Sequence, residues 1–266
     1  MIYIILIIFL ILIFVFGYSK QLEVTHTTIY TDKVNEDIKI AVVGDLHSCF
    51  YGENMKELLE PLYKENVDVI LNVGDMYDKR GNLENSKKYF NGIKDYKSFY
   101  VSGNHEVYKR RDINYKKQIR SLNTVVLEGN KRMIKVKNTK LNILGVDDIQ
   151  LEEIFEKQFN SVIKDNDDNF TILMIHRPHL IDLFKKSKAD LVVSGHAHGG
   201  QWFIPFLNRG VTAPDQLVLP KYVNGLHKLN DKTSLYVTRG LARETVKVPR
   251  LFNKPELSIL HLKKSN

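Results

Sequence analysis

The sequence predicts an α/β fold, a layered αββα sandwich of two mixed β-sheets, preceded by one N-terminal transmembrane helix. Three observations predict it. Five short runs rich in Val and Ile recur after residue 38, amphipathic stretches separate several of them, and an uncharged apolar run opens the chain. With 266 residues and no internal repeat or Pro/Gly-rich linker, the chain divides into an anchor (1–18), a linker and leading segment (19–37) and one folded domain (38–266).

Residues 1–18 carry no charged side chain. A helix of that length spans roughly 27 Å at about 1.5 Å per residue, close to a bilayer's hydrocarbon thickness. Apolarity on every face argues against a core helix. No Lys or Arg precedes the run and no small-x-small site follows it, so an uncleaved anchor is expected rather than a signal peptide. The expected location is the cell membrane, single-pass. Lys20 and Glu23 offset one another, leaving the side that the domain faces unset.

The buried strands are expected at 39–43, 67–73, 97–101, 170–175 and 189–193, with amphipathic helices at 53–64 and 84–95. Residues 124–146 read as hairpins, with turns at Gly129–Asn130 and Asn138–Thr139. A further strand pair is expected at 234–239 and 256–262. The net charge of +8 favours anionic ligands without choosing among phosphates, acidic lipids and nucleic acid. Cys49 is the only cysteine, so no intramolecular disulfide is possible, and it reads as a small packing residue.

A polar cluster follows each of the five strands: Gly44-Asp45-Leu46-His47, Gly74-Asp75-Met76-Tyr77-Asp78, Gly103-Asn104-His105-Glu106, His176-Arg177-Pro178 and Gly195-His196-Ala197-His198-Gly199-Gly200-Gln201. Ligand sites in open α/β sheets collect beyond the carboxyl ends of strands, so five such clusters can converge on one edge. Glycine before four of them allows sharp turns and close backbone approach. Asp45, His47, Asp75, Asn104, His176, His196 and His198 offer carboxylates, imidazoles and an amide oxygen, a set suited to Mn, Fe or Zn; without thiolates it is not a structural zinc site. Seven ligands exceed one tetrahedral ion and fit two divalent ions about 3.5–4 Å apart.

In these ordered blocks, D-x-H, G-D-x-x-D, G-N-H-[DE], H and G-H-x-H, the chain resembles the calcineurin-like metallophosphoesterases over roughly residues 38–264. Its C-terminal stretch LPKYVNGLH…LYVTRGLARETVKVPRLFNKPEL resembles the YkuE-like, membrane-associated bacterial branch. The resemblance implies that Asp45, His47 and His198 hold one ion, that Asp75 bridges both, and that Asn104, His176 and His196 complete the second. His105 matches the catalytic histidine that protonates the leaving oxygen or stabilises charge on the phosphoryl group. Glu106, where many members have Asp, is expected to orient His105. The implied activity is phosphoester hydrolysis, by a phosphodiesterase or pyrophosphatase using a metal-bridging hydroxide and no covalent phosphoenzyme. The expected substrate is membrane-associated or lipid-linked, such as a UDP-diacylglucosamine-like pyrophosphate. A nuclease or cyclic-nucleotide phosphodiesterase is the alternative, although no aromatic-interleaved groove for nucleic acid is visible; a non-catalytic binding module would be expected to have lost ligands.

Asp78 reads as an orienting carboxylate, with direct ligation as the alternative. Arg239 is a candidate for a substrate phosphate or a surface ion pair. Lys109, Arg110, Arg111, Lys116 and Lys117 form either a solvated helix face or a basic rim. Residues 202–206 either wall the metal site or rest at a bilayer interface. Oligomeric state is not encoded in any of these features.

Overall fold

A computed structural model describes residues 2–108, 111–164, 167–207, 209–244 and 248–265, apart from the side chains of Phe9, Leu10 and Pro205. Two six-stranded mixed sheets form its centre. The first has the order β1 (Glu23–Thr31), β16 (Glu256–Lys264), β2 (Ile38–Val43), β3 (Val69–Asn72), β4 (Ser98–Tyr100), β5 (Val125–Val126). The second has the order β14 (Gly225–Lys228), β15 (Ser234–Val237), β9 (Leu191–Ser194), β8 (Phe170–Met174), β7 (Thr139–Gly145), β6 (Asn130–Val136). In the first sheet β2 to β5 run parallel; in the second, β15, β9, β8 and β7 do. All five strands expected after residue 38 are present.

The layering follows from the two-residue period of a strand. Ile38, Ile40 and Val42 of β2 face inward and meet Ile143, Ile172 and Val193 of the second sheet in one apolar cluster. Ala41 and Val43 point the other way, toward α2 (Lys56–Glu65) and α3 (Leu83–Gly92), where Leu58, Leu62, Tyr89 and Phe90 cover them. On the far side Leu144, Leu173 and Val192 pack against Phe155 and Phe159 of α6 (Glu153–Val162) and Phe184 of α7 (Ile181–Ser187). Three apolar seams separate four layers, so αββα is the observed architecture. Asn82 caps α3 by accepting the Glu84 amide at 3.1 Å.

Several expectations are corrected. The opening helix α1 (Ile2–Gly17) has 16 residues, roughly 24 Å at about 1.5 Å per residue, against a hydrocarbon layer of about 30 Å. No helix among the described residues is long and apolar enough to cross a membrane. The segment 19–37 is more than a linker, because β1 pairs in parallel with β16 along nine residues. Only one hairpin forms within 124–146: β6 and β7 pair around Lys137–Asn138, whereas β5 joins β4 of the other sheet and the chain crosses over at Leu127–Gly129. The strands expected at 234–239 and 256–262 exist as β15 and β16 but lie in different sheets. β15 bonds β9 and β14; β16 bonds β1 and β2.

The basic run also resolves unevenly. Lys109 and Arg110 lie outside the described residues, and Lys117 is exposed. Lys116 is buried on α5 (Asp112–Ser121), 2.7 Å from Asp147, 3.1 Å from Glu128 and 3.2 Å from Asp112. It is neither solvated nor a rim residue. Leu71→Ala in the seam between the sheets should cost about 2–5 kcal/mol by opening a cavity where Leu71 is fully buried. A lowered denaturation midpoint, with the transition slope unchanged, is the expected readout.

Candidate metal centre

The loops that leave β2, β3, β4, β8 and β9 meet at one end of the sandwich and are hydrogen-bonded to one another. The Asp45 amide donates to the Gly74 carbonyl (3.0 Å), the His47 amide to Asp75 (2.9 Å) and the Gly195 amide to His176 (3.0 Å). Five of the seven expected ligands, Asp45, His47, Asp75, His196 and His198, have φ between 47° and 66°. That left-handed conformation costs non-glycine residues on the order of 1–3 kcal/mol each and persists where the surroundings over-determine it. Gly74 has φ 91°, and a Cβ there would meet the Gly103 nitrogen and His176 Nδ1 at 2.7 Å. At Gly103 the constraint is space alone, since a Cβ would strike the Asp75 carboxylate.

Two clusters of expected ligands result, and His47, Asp78 and His105 form a third group whose ligand atoms lie equally close. In the first, Asp45, His47 and His198 bring one ligand atom each to within 4.8 Å of one another; in the second, Asp75, His176 and His196 do the same. Asn104 closes the second, its Oδ1 lying 3.2 Å from His176 Nε2. Asp75 Oδ2 lies 3.2 Å from His176 Nε2 and 3.7 Å from His47 Nε2, so its carboxylate stands between the clusters as a bridging ligand must. All seven sequence-identified ligands are thus brought together.

Each imidazole is turned by a partner on its other nitrogen, which leaves one nitrogen for a metal. His47 Nδ1 donates to Asp78 Oδ2 (2.9 Å), and its buried Nε2 has no hydrogen-bond partner. His176 Nδ1 donates to the Val73 carbonyl (2.8 Å). His196 Nε2 lies 2.9 Å from Asp215 Oδ2, which aims Nδ1 inward. An orphaned, fully buried imidazole nitrogen beside two carboxylates fits a divalent cation. The electrostatics fit too. Burial opposes charge on Asp75, yet His176 and His47 hold it well below the usual carboxylate range. Burial also opposes charge on His176, but Asp75 and Asp45 push it up to about 10, the proton supplying positive charge that a metal would replace.

His105 stands at the edge of the site, 32% exposed, with Nδ1 3.1 Å from Asp78 Oδ2. Burial disfavours its protonated form, but Asp78 and Asp75 outweigh that and raise it above the ordinary imidazole range. The Asp78 carboxylate thus meets the rings of both His47 and His105, and it also accepts Arg80 Nε at 2.8 Å. Glu106 does not orient His105. Its buried carboxylate accepts the backbone amides of Asp75 (2.9 Å), Met76 (2.6 Å), Tyr77 (2.9 Å) and Gly103 (2.9 Å), locking two ligand loops together. Burial and the nearby Asp75 push it up to about 7. Arg239 does not reach the site either: its guanidinium binds Glu23 (2.5 Å) and Glu256 (3.4 Å), joining β1 and β16.

Sequence reasoning missed Asp215, Arg80, Arg250 and Asn253. Asp215 lies 19 positions beyond His196, in no motif, and also accepts Arg177 Nη1 at 2.7 Å. Arg250 and Asn253 hold the loop that carries His198; Asn253 Nδ2 donates to the His198 carbonyl at 2.7 Å. Arg80 sits two residues after Asp78, and Arg250 and Asn253 sit in the C-terminal stretch that carried the branch resemblance, so these three lay within or beside quoted motifs while Asp215 did not. Two clefts flank His105. One, of about 360 Å³, has Ala197, Ala213, Pro214 and Val248 on its wall; the other, of about 530 Å³, is lined by Lys79, Arg80 and Arg111.

Asp215→Asn should weaken metal affinity about 10–100-fold by releasing His196, with a near-native circular dichroism spectrum. Glu106→Gln, whose amide nitrogen cannot accept, should cost about 1–3 kcal/mol of stability and lower metal occupancy, read by denaturation and metal analysis.

Comparison with known proteins agrees with this geometry. The calcineurin-like phosphoesterase family matches residues 38–200, more than half of the chain. An uncharacterized metallophosphoesterase of Helicobacter pylori is 31% identical over 230 residues, covering 82% of this chain and 58% of that protein. The chain thus spans less than two thirds of that relative's length. The uncharacterized metallophosphoesterase YkuE of Bacillus subtilis is 26% identical over 266 residues, 94% of this chain and 91% of that protein. The UDP-2,3-diacylglucosamine pyrophosphatase LpxG of Chlamydia muridarum is 34% identical over 127 residues, 45% of this chain and 36% of that protein. Since the matched span contains every strand end that supplies a ligand, the chain belongs to the calcineurin-like phosphoesterase family.

Proposed function

We propose that this chain is a two-metal-dependent hydrolase of phosphodiester or pyrophosphate bonds, acting on a membrane-associated or lipid-linked phosphate. The observation that carries the reaction class is the pair of ligand clusters sharing the Asp75 carboxylate beside His105. The first ion would be held by Asp45, His47, Asp75 and His198, the second by Asp75, Asn104, His176 and His196. When bound, such divalent cations supply a nucleophile at neutral pH by acidifying water and offset phosphoryl charge.

The chain's own groups account for the remaining work. His105, whose protonated form the adjacent Asp78 favours, donates a proton to the departing oxygen. Arg80, whose Nη2 lies 3.4 Å from both His105 ring nitrogens, contributes positive charge beside that oxygen. Backbone amides of His196 and His105 hold Asp45 and Asp75 in place at 3.0 and 2.8 Å. No protein nucleophile is needed, and none enters the reaction.

Three features support the substrate class. One cleft beside His105 sets Ala197, Ala213, Pro214 and Val248 against Arg80 and the ligand histidines, and the other holds Lys79, Arg80 and Arg111, which supports an amphiphile carrying phosphate. The described side chains of α1 are almost all exposed and all apolar, so the helix partitions into an apolar phase such as a membrane. The likeness to LpxG, a pyrophosphatase of a diacylated nucleotide sugar, points the same way.

Manganese-loaded protein should cleave aryl phosphodiesters, and chelation should abolish turnover until metal is restored. His105→Ala should reduce kcat about 10²–10⁴-fold with metal content intact, while Asp75→Asn should lose both metal and activity. Full activity of both variants overturns the assigned site. A panel of lipid pyrophosphates, cyclic nucleotides and DNA in detergent decides the substrate. Cleavage confined to the last two overturns the lipid reading.

A further inference from the structure

Immediately after the fifth ligand block the chain leaves the sandwich and folds into two small hairpins. β10 (Phe203–Ile204) pairs with β11 (Arg209–Gly210), and β12 (Thr212–Ala213) pairs with β13 (Leu217–Val218). Several of their apolar side chains face outward: Phe206 is 99% exposed, Leu217 81% and Val218 75%, with Leu207 and Trp202 also open and Phe252 open on the adjoining segment. Soluble surfaces rarely gather so many large apolar groups without a partner.

The position of α1 identifies that partner. The Phe252 amide donates to the Gly17 carbonyl at 2.7 Å, and Leu251 bridges Tyr18 on one side and Trp202 on the other. The exit of the apolar helix and the base of the hairpins are therefore stitched to the same short segment. The charges agree. Arg209 on the hairpins and Lys221 just beyond them are exposed, while the partly exposed carboxylate of Asp215 is paired with Arg177 and His196. Lys20, at the foot of α1, is exposed as well. Exposed apolar groups together with exposed cations suit an anionic bilayer surface.

We infer that the hairpins of residues 202–219 dock the enzyme on an anionic lipid surface beside α1, presenting the mouth of the metal site to the bilayer. The second hairpin has two faces. Leu217 and Val218 point outward, whereas Thr212, Ala213 and Pro214 line the cleft that contains His105 and His198. A lipid-linked phosphate leaving the bilayer along this hairpin reaches the ligands without crossing bulk water. This inference rests on the membrane-surface reading above, and its test does not require turnover.

Trp202 is the only tryptophan in the sequence and stands at the hairpin base, 43% exposed, so the chain carries its own reporter. On phosphatidylcholine–phosphatidylglycerol vesicles its emission should shift to shorter wavelength and be quenched most by shallow spin-labelled lipids. Phe206→Asp with Leu217→Asp should remove the shift and the quenching while hydrolysis of a soluble aryl phosphodiester stays unchanged. Phe206→Ser alone, at a fully exposed position, should reduce the quenching part-way. Unshifted, unquenched emission on vesicles overturns the inference, as does quenching that survives both variants. A blue shift that grows with protein concentration in the absence of lipid assigns the patch to a second copy instead. Loss of soluble-substrate hydrolysis in the unmodified protein, with lipid quenching retained, overturns the enzyme reading and leaves the docking surface standing.

Discussion

Two carboxylates, Asp45 and Asp75, are buried where the ends of the two sheets meet, and the rest of the site answers that concentration of negative charge. An ionised carboxylate out of water must be compensated by hydrogen bonds, by cations or by both. Here backbone amides of His196 and His105 take part of the load, and His176 holds a proton against the pull of burial. What remains uncompensated is the affinity for divalent metal. Metal binding and proton release at His176 are therefore linked, because a ligating imidazole nitrogen must be free of its proton.

Holding that charge requires loops that cannot relax. Five ligands sit in the left-handed region, and the cost is met by three carboxylates outside the ligand set. Glu106 clamps two loops through four amides, Asp78 joins the rings of His47 and His105, and Asp215 ties His196 to Arg177. Each acts across elements distant in sequence. The side-chain length of glutamate matters at position 106, since it spans from the third ligand loop to the amides of the second. Rigid positioning of this kind converts a set of donors into a defined coordination geometry.

The two halves of the molecule, apolar helix and charged site, are joined through one short segment. Residues 250–253 supply Arg250 and Asn253 to the His198 loop, while Leu251 and Phe252 contact the foot of α1 and the hairpin base. The surface that carries exposed apolar groups and the mouth that carries His105 are thus neighbours by covalent and hydrogen-bonded connection.

Much of this was legible in the residues themselves. The five strands, the seven candidate ligands and the position of His105 are local signals: an apolar run of strand length followed, in four of the five, by a glycine and a donor. Strand partners were not legible. β15 and β16 read as a pair and β5 as half of a hairpin, yet each belongs elsewhere, because pairing is chosen by which apolar face finds the core, a long-range property. The same reason hid Asp215, turned Glu106 from a histidine partner into a loop clamp, gave Arg239 to β1 and β16, and buried Lys116 among Asp112, Glu128 and Asp147. Sequence alone determined which atoms are available as ligands, since that is a matter of residue type and strand end. The tertiary structure decided what turns and charges those atoms, since hydrogen bonds and burial depend on residues that meet only when both sheets have closed on one another.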